Sequence, residues 1–223
     1  MTENGCSGDG LPGIIGSGRE GGPAGDQRPP LILASGSPRR RDILRQLGLP
    51  FRVMVPELDE DAIQGASPRD LALCRAVAKA GAVDCPGALV LAADTLVALD
   101  GRVYGKPAGP AAAEAMLGEL CGRQHEVWSG ICLRAGGRQW SEVVRTRVWL
   151  AAADPAAIAT YVATGEPLDK AGAYAAQGRG SLLVERVDGC FWNVVGLPVA
   201  ALAQGLRVFG YGVWPERRAP GER

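Results

Sequence analysis

Six consecutive apolar residues, Ala88 to Ala93, most limit what this chain can fold into. The run is strand length and falls far short of the roughly 20 apolar residues of a membrane-spanning helix. It shows no polar alternation, so both of its faces must be covered, as for a central strand in a sheet flanked by helices. It leads into Asp94-Thr95. A carboxylate is therefore expected at the end of a central strand, where open α/β sheets place their ligands.

The remaining pattern agrees with that architecture. Leu31 to Ala34 reads as a short buried strand that delivers Ser35-Gly36-Ser37-Pro38-Arg39-Arg40 onto a helix. Ser37 is the expected N-cap and Pro38 the first helical residue. Ile43, Leu44 and Leu47 supply the apolar face, and Gly48 ends the helix. A strand over Phe51 to Val55, an acidic loop from Glu57 to Asp61 and a helix opened by Ser67-Pro68 follow, with Lys79 near that helix's end. Leu96 to Val103, around Asp100-Gly101, predicts a hairpin. An Ala-rich helix through Leu120 follows Gly105-Lys106-Pro107. Gln124 to Leu133 and Gln139 to Leu150 predict an antiparallel pair joined at Gly136-Gly137. A helix starts at Asp154-Pro155, a glycine-punctuated loop spans Gly165 to Gly180, a strand covers Leu182 to Val187, and a last helix runs from Gly196-Leu197-Pro198 to near Phe209. Alternation giving way to an antiparallel pair is α/β with a mixed central sheet.

With 223 residues and 47% of them hydrophobic, the chain can bury a substantial core, and wholesale disorder is excluded. The expected organisation is a flexible Gly-rich extension over 1–29, one domain over 30–210 and a flexible tail over 211–223. No signal peptide or internal repeat is read. Lys+Arg and Asp+Glu are both 24 and aromatics only 5%, which argues against a nucleic-acid binder living on phosphate attraction or base stacking. Six cysteines without a CxxC pair read as reduced thiols of a cytoplasmic protein rather than a disulfide framework or zinc site. The single histidine, His125, enters a strand; it reads as structural, with a general base as the competing reading.

Three segments are candidates for chemistry. At Ser35 to Arg40, two hydroxyls and two guanidiniums meet a helix N-terminus, which suits a polyphosphate. The competing reading is an N-cap followed by a solvated basic turn. Asp94 suits a divalent cation or a proton taken from water, against a merely turn-forming Asp. Lys106 is placed to bring charge to the same pocket, and the acidic run 57–61 is either a source of a metal ligand or a solvated loop. In the glycine-rich stretch, Gln177 carries both a donor and an acceptor, as the edge of a nucleobase requires.

Taken in order, these motifs resemble a known family. Ser35-x-Ser37-Pro38-Arg39-Arg40, Ala93-Asp94-Thr95, Gly105-Lys106-Pro107, Gly122-x-x-His125-x-Val127-x-Ser129-Gly130, Gly165-Glu166-Pro167-x-Asp169-Lys170-Ala171-Gly172-Ala173-Tyr174 with Gln177-Gly178, and Asn193-Val194-x-Gly196-Leu197-Pro198 resemble the Maf family of nucleotide pyrophosphatases over about residues 31–209. The resemblance implies a single α/β domain of Maf or ITPase-like type, with a mixed sheet wrapped by helices and a deep cleft between two lobes. It implies hydrolysis of a nucleoside triphosphate to the monophosphate and pyrophosphate with a divalent cation, Mg2+ or Mn2+. The Lys-Ala-Gly-Ala-Tyr-x-x-Gln form is similar to the branch acting on dTTP and UTP, with clearance of noncanonical nucleotides as a family role. By resemblance Asp94 is the proton acceptor and Arg39, Thr95 and Gln177 are specificity positions. Ser37, Arg40, Lys79 and Lys106 fall around the phosphates, and Glu60 joins Asp94 at the metal. The partner is a nucleotide, with no nucleic acid and no membrane, and a homodimer is left open. Trp128, Ser129 and Ala175-Ala176 depart from the usual family residues. Two other classes stay open: a non-catalytic nucleotide-binding regulator, for example of cell division, and a nucleic-acid binder using Arg39–Arg41 and Arg45.

Overall fold

The computed structural model describes residues 28–212. Most of the expected extension and tail therefore lies outside the described residues. Tyr211, expected in the tail, belongs to the body: it is buried beneath the Arg28 guanidinium and packs into the core. The expected domain boundary at 210 thus falls short of this residue.

The elements are β1 (Leu31–Leu33), α1 (Pro38–Gln46), β2 (Arg52–Val53), α2 (Pro68–Gly81), β3 (Leu89–Leu99), β4 (Arg102–Tyr104), α3 (Pro110–Leu120), β5 (Gln124–Ala135), β6 (Arg138–Leu150), α4 (Pro155–Val162), β7 (Val184–Asp188), α5 (Phe191–Val195) and α6 (Val199–Val208). Three short 3-10 segments, Glu166–Asp169, Ala171–Ala173 and Gly178–Leu183, fill the loop after α4. Seven strands form one mixed sheet in the order β2-β1-β3-β5-β6-β7, with β4 also paired to β3. β1 is parallel to β2 and β3, and every other pairing is antiparallel. Both hairpins turn as their sequences require. Asp100 and Gly101, and Gly136 and Gly137, all adopt positive φ, the conformation of tight hairpin turns. Among the described residues, no helix is long and apolar enough to cross a membrane.

The chief departure from expectation is β3. It does not end at Asp94-Thr95 but continues to Leu99, because β5 pairs with it from Val90 to Ala98 and β4 from Val97 to Leu99. The strand expected over 51–55 shortens to Arg52–Val53, since three-residue β1 offers little edge to pair with. The last strand is shifted to Val184–Asp188, and α5 was not foreseen. Ser37 does sit at the N-cap of α1, yet its hydroxyl makes no capping bond. Its N–H instead donates to Ser35 Oγ at 3.2 Å.

Three apolar clusters build the body. On one face of the sheet, Leu89, Leu91 and Ala93 pack with α1 and α6. On the other face, Ala88, Val90 and Ala92 pack with Ala76 and Ala80 of α2. The third cluster joins Val97, Leu99 and Tyr104 to α3 and α4 and forms a second lobe on the far half of the same long strands. Residue 93 closes the first core and residue 97 opens the third, so Asp94 and Thr95 fall between lobes. The sheet edge is interrupted at the same place. β1 covers Leu89–Leu91 and β4 covers Val97–Leu99 on the side away from β5, leaving the middle of that edge of β3 without a strand among the described residues. Gly130 on β5 lets α2 lie close to this region: a Cβ there would stand 2.6 Å from the carbonyl carbon of Ala72.

Candidate active site

The period of two along a strand puts Asp94 and Thr95 on opposite faces of β3. Asp94 continues the face covered by α2, so it meets Lys79 from the last turn of that helix. Thr95 continues the face covered by α1 and α6, so it meets Arg40 and the turn at Gly196. The cleft wraps the interrupted edge of the sheet between them and has a volume of about 800 Å³. The nine residues given site roles by the family resemblance line it: Ser37, Arg39, Arg40, Glu60, Lys79, Asp94, Thr95, Lys106 and Gln177.

Lys79 Nζ lies 2.6 Å from Asp94 Oδ1 and 2.7 Å from Glu60 Oε2. The Lys79 and Asp94 side chains are only 8% and 7% exposed, whereas Glu60 is 46% exposed. Of the acidic run, Glu60 is thus the residue that turns to the cleft; Asp61 pairs instead with Arg75 at 3.6 Å. Asp94 Oδ2 is buried and has no hydrogen-bond partner among the described residues. An ionised oxygen in that state is costly unless a ligand completes it.

The Arg40 guanidinium is already engaged by the protein. It is buried and donates to Gly196 O at 2.9 Å, Ser35 Oγ at 2.9 Å and Thr95 Oγ1 at 3.3 Å. Burial lowers its pKa from the ordinary arginine value, while the Asp94 charge opposes the shift. Three of its N–H groups are therefore spent on tying the loop after β1, the middle of β3 and the turn before α6 into one unit. Thr95 is held in the same unit, within 2.7 Å of Ser129 Oγ. Arg39 is half-buried and reaches across the cleft to Asp169 Oδ2 at 3.1 Å. Lys106 and Gln177 are exposed, and neither side chain has a hydrogen-bond or ion-pair partner among the described residues. A cationic and an amide group thus remain available to a ligand.

His125 is structural. It is buried, its Nε2 lies 2.8 Å from Tyr174 Oη, and burial lowers its pKa from 6.5 to about 4. It does not line the cleft. No sequence pattern gives Glu166 or Tyr161 a role of its own, although the first stands inside one of the family motifs. Both support the loop carrying Gln177. The only sequence signal for them is the glycine pair Gly178 and Gly180, which marks a close approach without saying to what.

No group of three metal-ligating side chains exists among the described residues. Two carboxylates, one with an unpartnered buried oxygen, are nevertheless a donor set that Mg2+ accepts, since it keeps waters and takes remaining ligands from substrate phosphates.

A sequence profile described as "Maf-like protein" matches residues 30–209. A Symbiobacterium thermophilum protein named dTTP/UTP pyrophosphatase is 50% identical over 186 residues, covering 82% of this chain and 96% of its own length. Proteins of the same name from Moorella thermoacetica and Gloeobacter violaceus are 49% and 50% identical. These two cover 82% and 80% of this chain and 97% and 95% of their own lengths. A structure of the Staphylococcus aureus Ham1 protein overlaps 54% of this chain and 71% of its own, at 17% identity and a TM-score of 0.37, and adds nothing to the assignment.

Proposed function

The chain belongs to the Maf family, and from that premise we propose that its cleft hydrolyses nucleoside triphosphates, dTTP and UTP in preference, to the monophosphate and pyrophosphate. The observation that carries this reading is the buried Asp94 with one oxygen on Lys79 and the other unpartnered, set between lobes beside cationic groups on both walls. Such a carboxylate has an oxygen to spare for a proton from water, which binding alone does not require.

The reaction adds water to the α-phosphorus. The new bond joins the water oxygen to Pα, and the bond from Pα to the α–β bridging oxygen breaks, releasing pyrophosphate. Asp94 takes the proton that water loses, through its unpartnered oxygen, a contribution of about 10²–10⁴-fold. Lys79 fixes the other oxygen and so orients the base. The larger contribution is electrostatic, because negative charge gathers on the departing pyrophosphate. Arg39 and Lys106 are the solvent-accessible cations suited to meet it, and Ser37 with the N–H groups opening α1 supplies neutral donors. Arg40 contributes from behind, by holding this loop against Thr95 and Gly196. Asp94 and Glu60 are the residues to hold a divalent cation, which when bound neutralises phosphate charge.

The base preference rests on Gln177, the exposed amide on the cleft wall, with Arg39 and Thr95 shaping the same region. Uracil and thymine present an N–H flanked by carbonyls, to which a glutamine amide pairs as acceptor and donor at once. The decisive test is pyrophosphate release from a panel of dTTP, UTP, CTP, 7-methyl-GTP and purine triphosphates, with Mg2+ and after chelation. The reading predicts highest kcat/KM for dTTP and UTP and no turnover with chelator. Release of orthophosphate, or preference for CTP or 7-methyl-GTP, overturns it.

A further inference from the structure

The loop bearing Gln177 is pinned on both sides by side chains outside the phosphate-handling set. Upstream, Ala175 N donates to Tyr161 Oη at 3.1 Å. Downstream, Arg179 N donates to Glu166 Oε1 at 3.0 Å and Gly180 N to Glu166 Oε2 at 2.8 Å. The backbone wraps so tightly around the carboxylate that a Cβ on Gly178, whose φ is +80°, would overlap Glu166 Oε1. A Cβ on Gly180 would overlap Tyr161 Oη and stand 2.5 Å from Ala175 O.

Glu166 is itself immobilised. Its carbonyl accepts from Lys170 Nζ at 2.6 Å, and its N–H donates to Thr164 Oγ1 at 3.2 Å. Lys170 also holds Asp169 Oδ1 at 2.6 Å, and Asp169 holds Arg39. A continuous chain of hydrogen bonds thus joins the phosphate side of the cleft to the turn at Gln177. Burial raises the pKa of Glu166, but the N–H groups of Gly180 and Arg179 and the Tyr161 hydroxyl outweigh it and hold the carboxyl below its ordinary value. The ionised form is therefore the one that the loop is built on, and both oxygens already accept from protein.

We propose that Glu166 is a positioning residue for base selection: by accepting from the N–H groups of Arg179 and Gly180, it fixes the turn from which Gln177 reads the nucleobase. This rests on the reading of Gln177 given above. Two backbone donors on one carboxylate leave the turn a single geometry, and discrimination by hydrogen bonding needs that geometry before the base arrives. Tyr161 serves the other end of the loop, where its hydroxyl accepts from a single N–H.

The test is the ratio of kcat/KM for UTP to that for CTP in the full chain, measured for wild type, E166Q, E166A, Q177A and E166A/Q177A. Circular dichroism confirms folding at the assay temperature. The expected result is a fall in the ratio of about tenfold in E166A and in Q177A, with no further fall in the double variant. E166Q keeps the shape and one good acceptor and should lie between wild type and E166A, so it answers the question even where E166A folds poorly. A wild-type ratio in both Glu166 variants, with Q177A reduced, overturns the positioning role and leaves the base-reading role of Gln177 standing. A further fall in the double variant overturns it as well, because Glu166 would then act independently of Gln177. An unchanged ratio in Q177A removes Gln177 from base selection, and the proposed role of Glu166 with it.

Discussion

Replacing Lys79 by methionine should cost stability as well as activity, and the size of the loss follows from the burial of its partners. Among the described residues Lys79 Nζ is the only hydrogen-bond partner of Asp94 Oδ1, and it also holds Glu60, with Asp94 7% and Glu60 46% exposed. Methionine retains the unbranched stem and removes the charge. Removing one partner of a buried pair costs about 3–5 kcal/mol, nearly all of it here from Asp94, because half-exposed Glu60 recovers water. For a domain of this size that corresponds to a fall in Tm of roughly 6–20 °C. Urea unfolding followed by circular dichroism, for wild type, K79M, D94N and K79M/D94N, separates this charge effect from simple loss of packing. With D94N present the K79M change should cost about 1 kcal/mol or less, a coupling of about 2–4 kcal/mol. A cost below about 1 kcal/mol for K79M alone, or an equal cost in both backgrounds, refutes the reasoning.

Gly130→Ala should destabilise by about 1–3 kcal/mol and lower kcat together, since α2 must move off Ala72 and takes Lys79 with it; urea midpoints and initial rates check both. His125 has a native pKa of about 4 against an ordinary 6.5. Its contribution is full above pH 6.5 and is lost as pH falls toward 4, because the unfolded chain binds the proton first. That loss is about 3 kcal/mol, and H125Q should remove this part of the difference in urea midpoint between pH 7 and pH 4. Arg39→Ala should raise KM for UTP about tenfold while moving Tm by no more than about 2–4 °C, because its pair with Asp169 is 33% and 61% exposed; an unchanged KM places Arg39 off the phosphates.

The parts of the fold that could be read from sequence are those governed by near neighbours. Pro38, Pro68 and Pro155 mark three helix starts, and Asp154 caps the last through Ala157 N at 2.8 Å. The apolar run 88–93 identifies the central strand, and both hairpin turns follow from their Asp-Gly and Gly-Gly pairs. What was not legible depends on residues far apart in the chain. β3 continues unbroken through Asp94 and Thr95 because β5, which follows β4 and α3 in the chain, pairs along it. Arg40 looks like a surface charge until Gly196, 156 positions away, accepts from it. Lys79 at a helix end has an ordinary explanation in the helix dipole, and only the packing of α2 on Gly130 brings it to Asp94. Of the site, the residue types at the cleft could be read. Which arginine is buried, which acid of the run 57–61 turns inward, and what holds Gln177 in place could not.

The proposed role of Asp94 as proton acceptor is tested most directly by single-turnover pyrophosphate release from UTP by D94N, with nucleotide affinity measured calorimetrically on the same preparation. The substitution preserves volume and an oxygen for Lys79 while removing the charge on the unpartnered side. With Asp94 as the base, D94N should be slower by about 10²–10⁴-fold with UTP affinity within about threefold of wild type. A rate above about a tenth of wild type contradicts it, and would return Asp94 to being only the buried partner of Lys79.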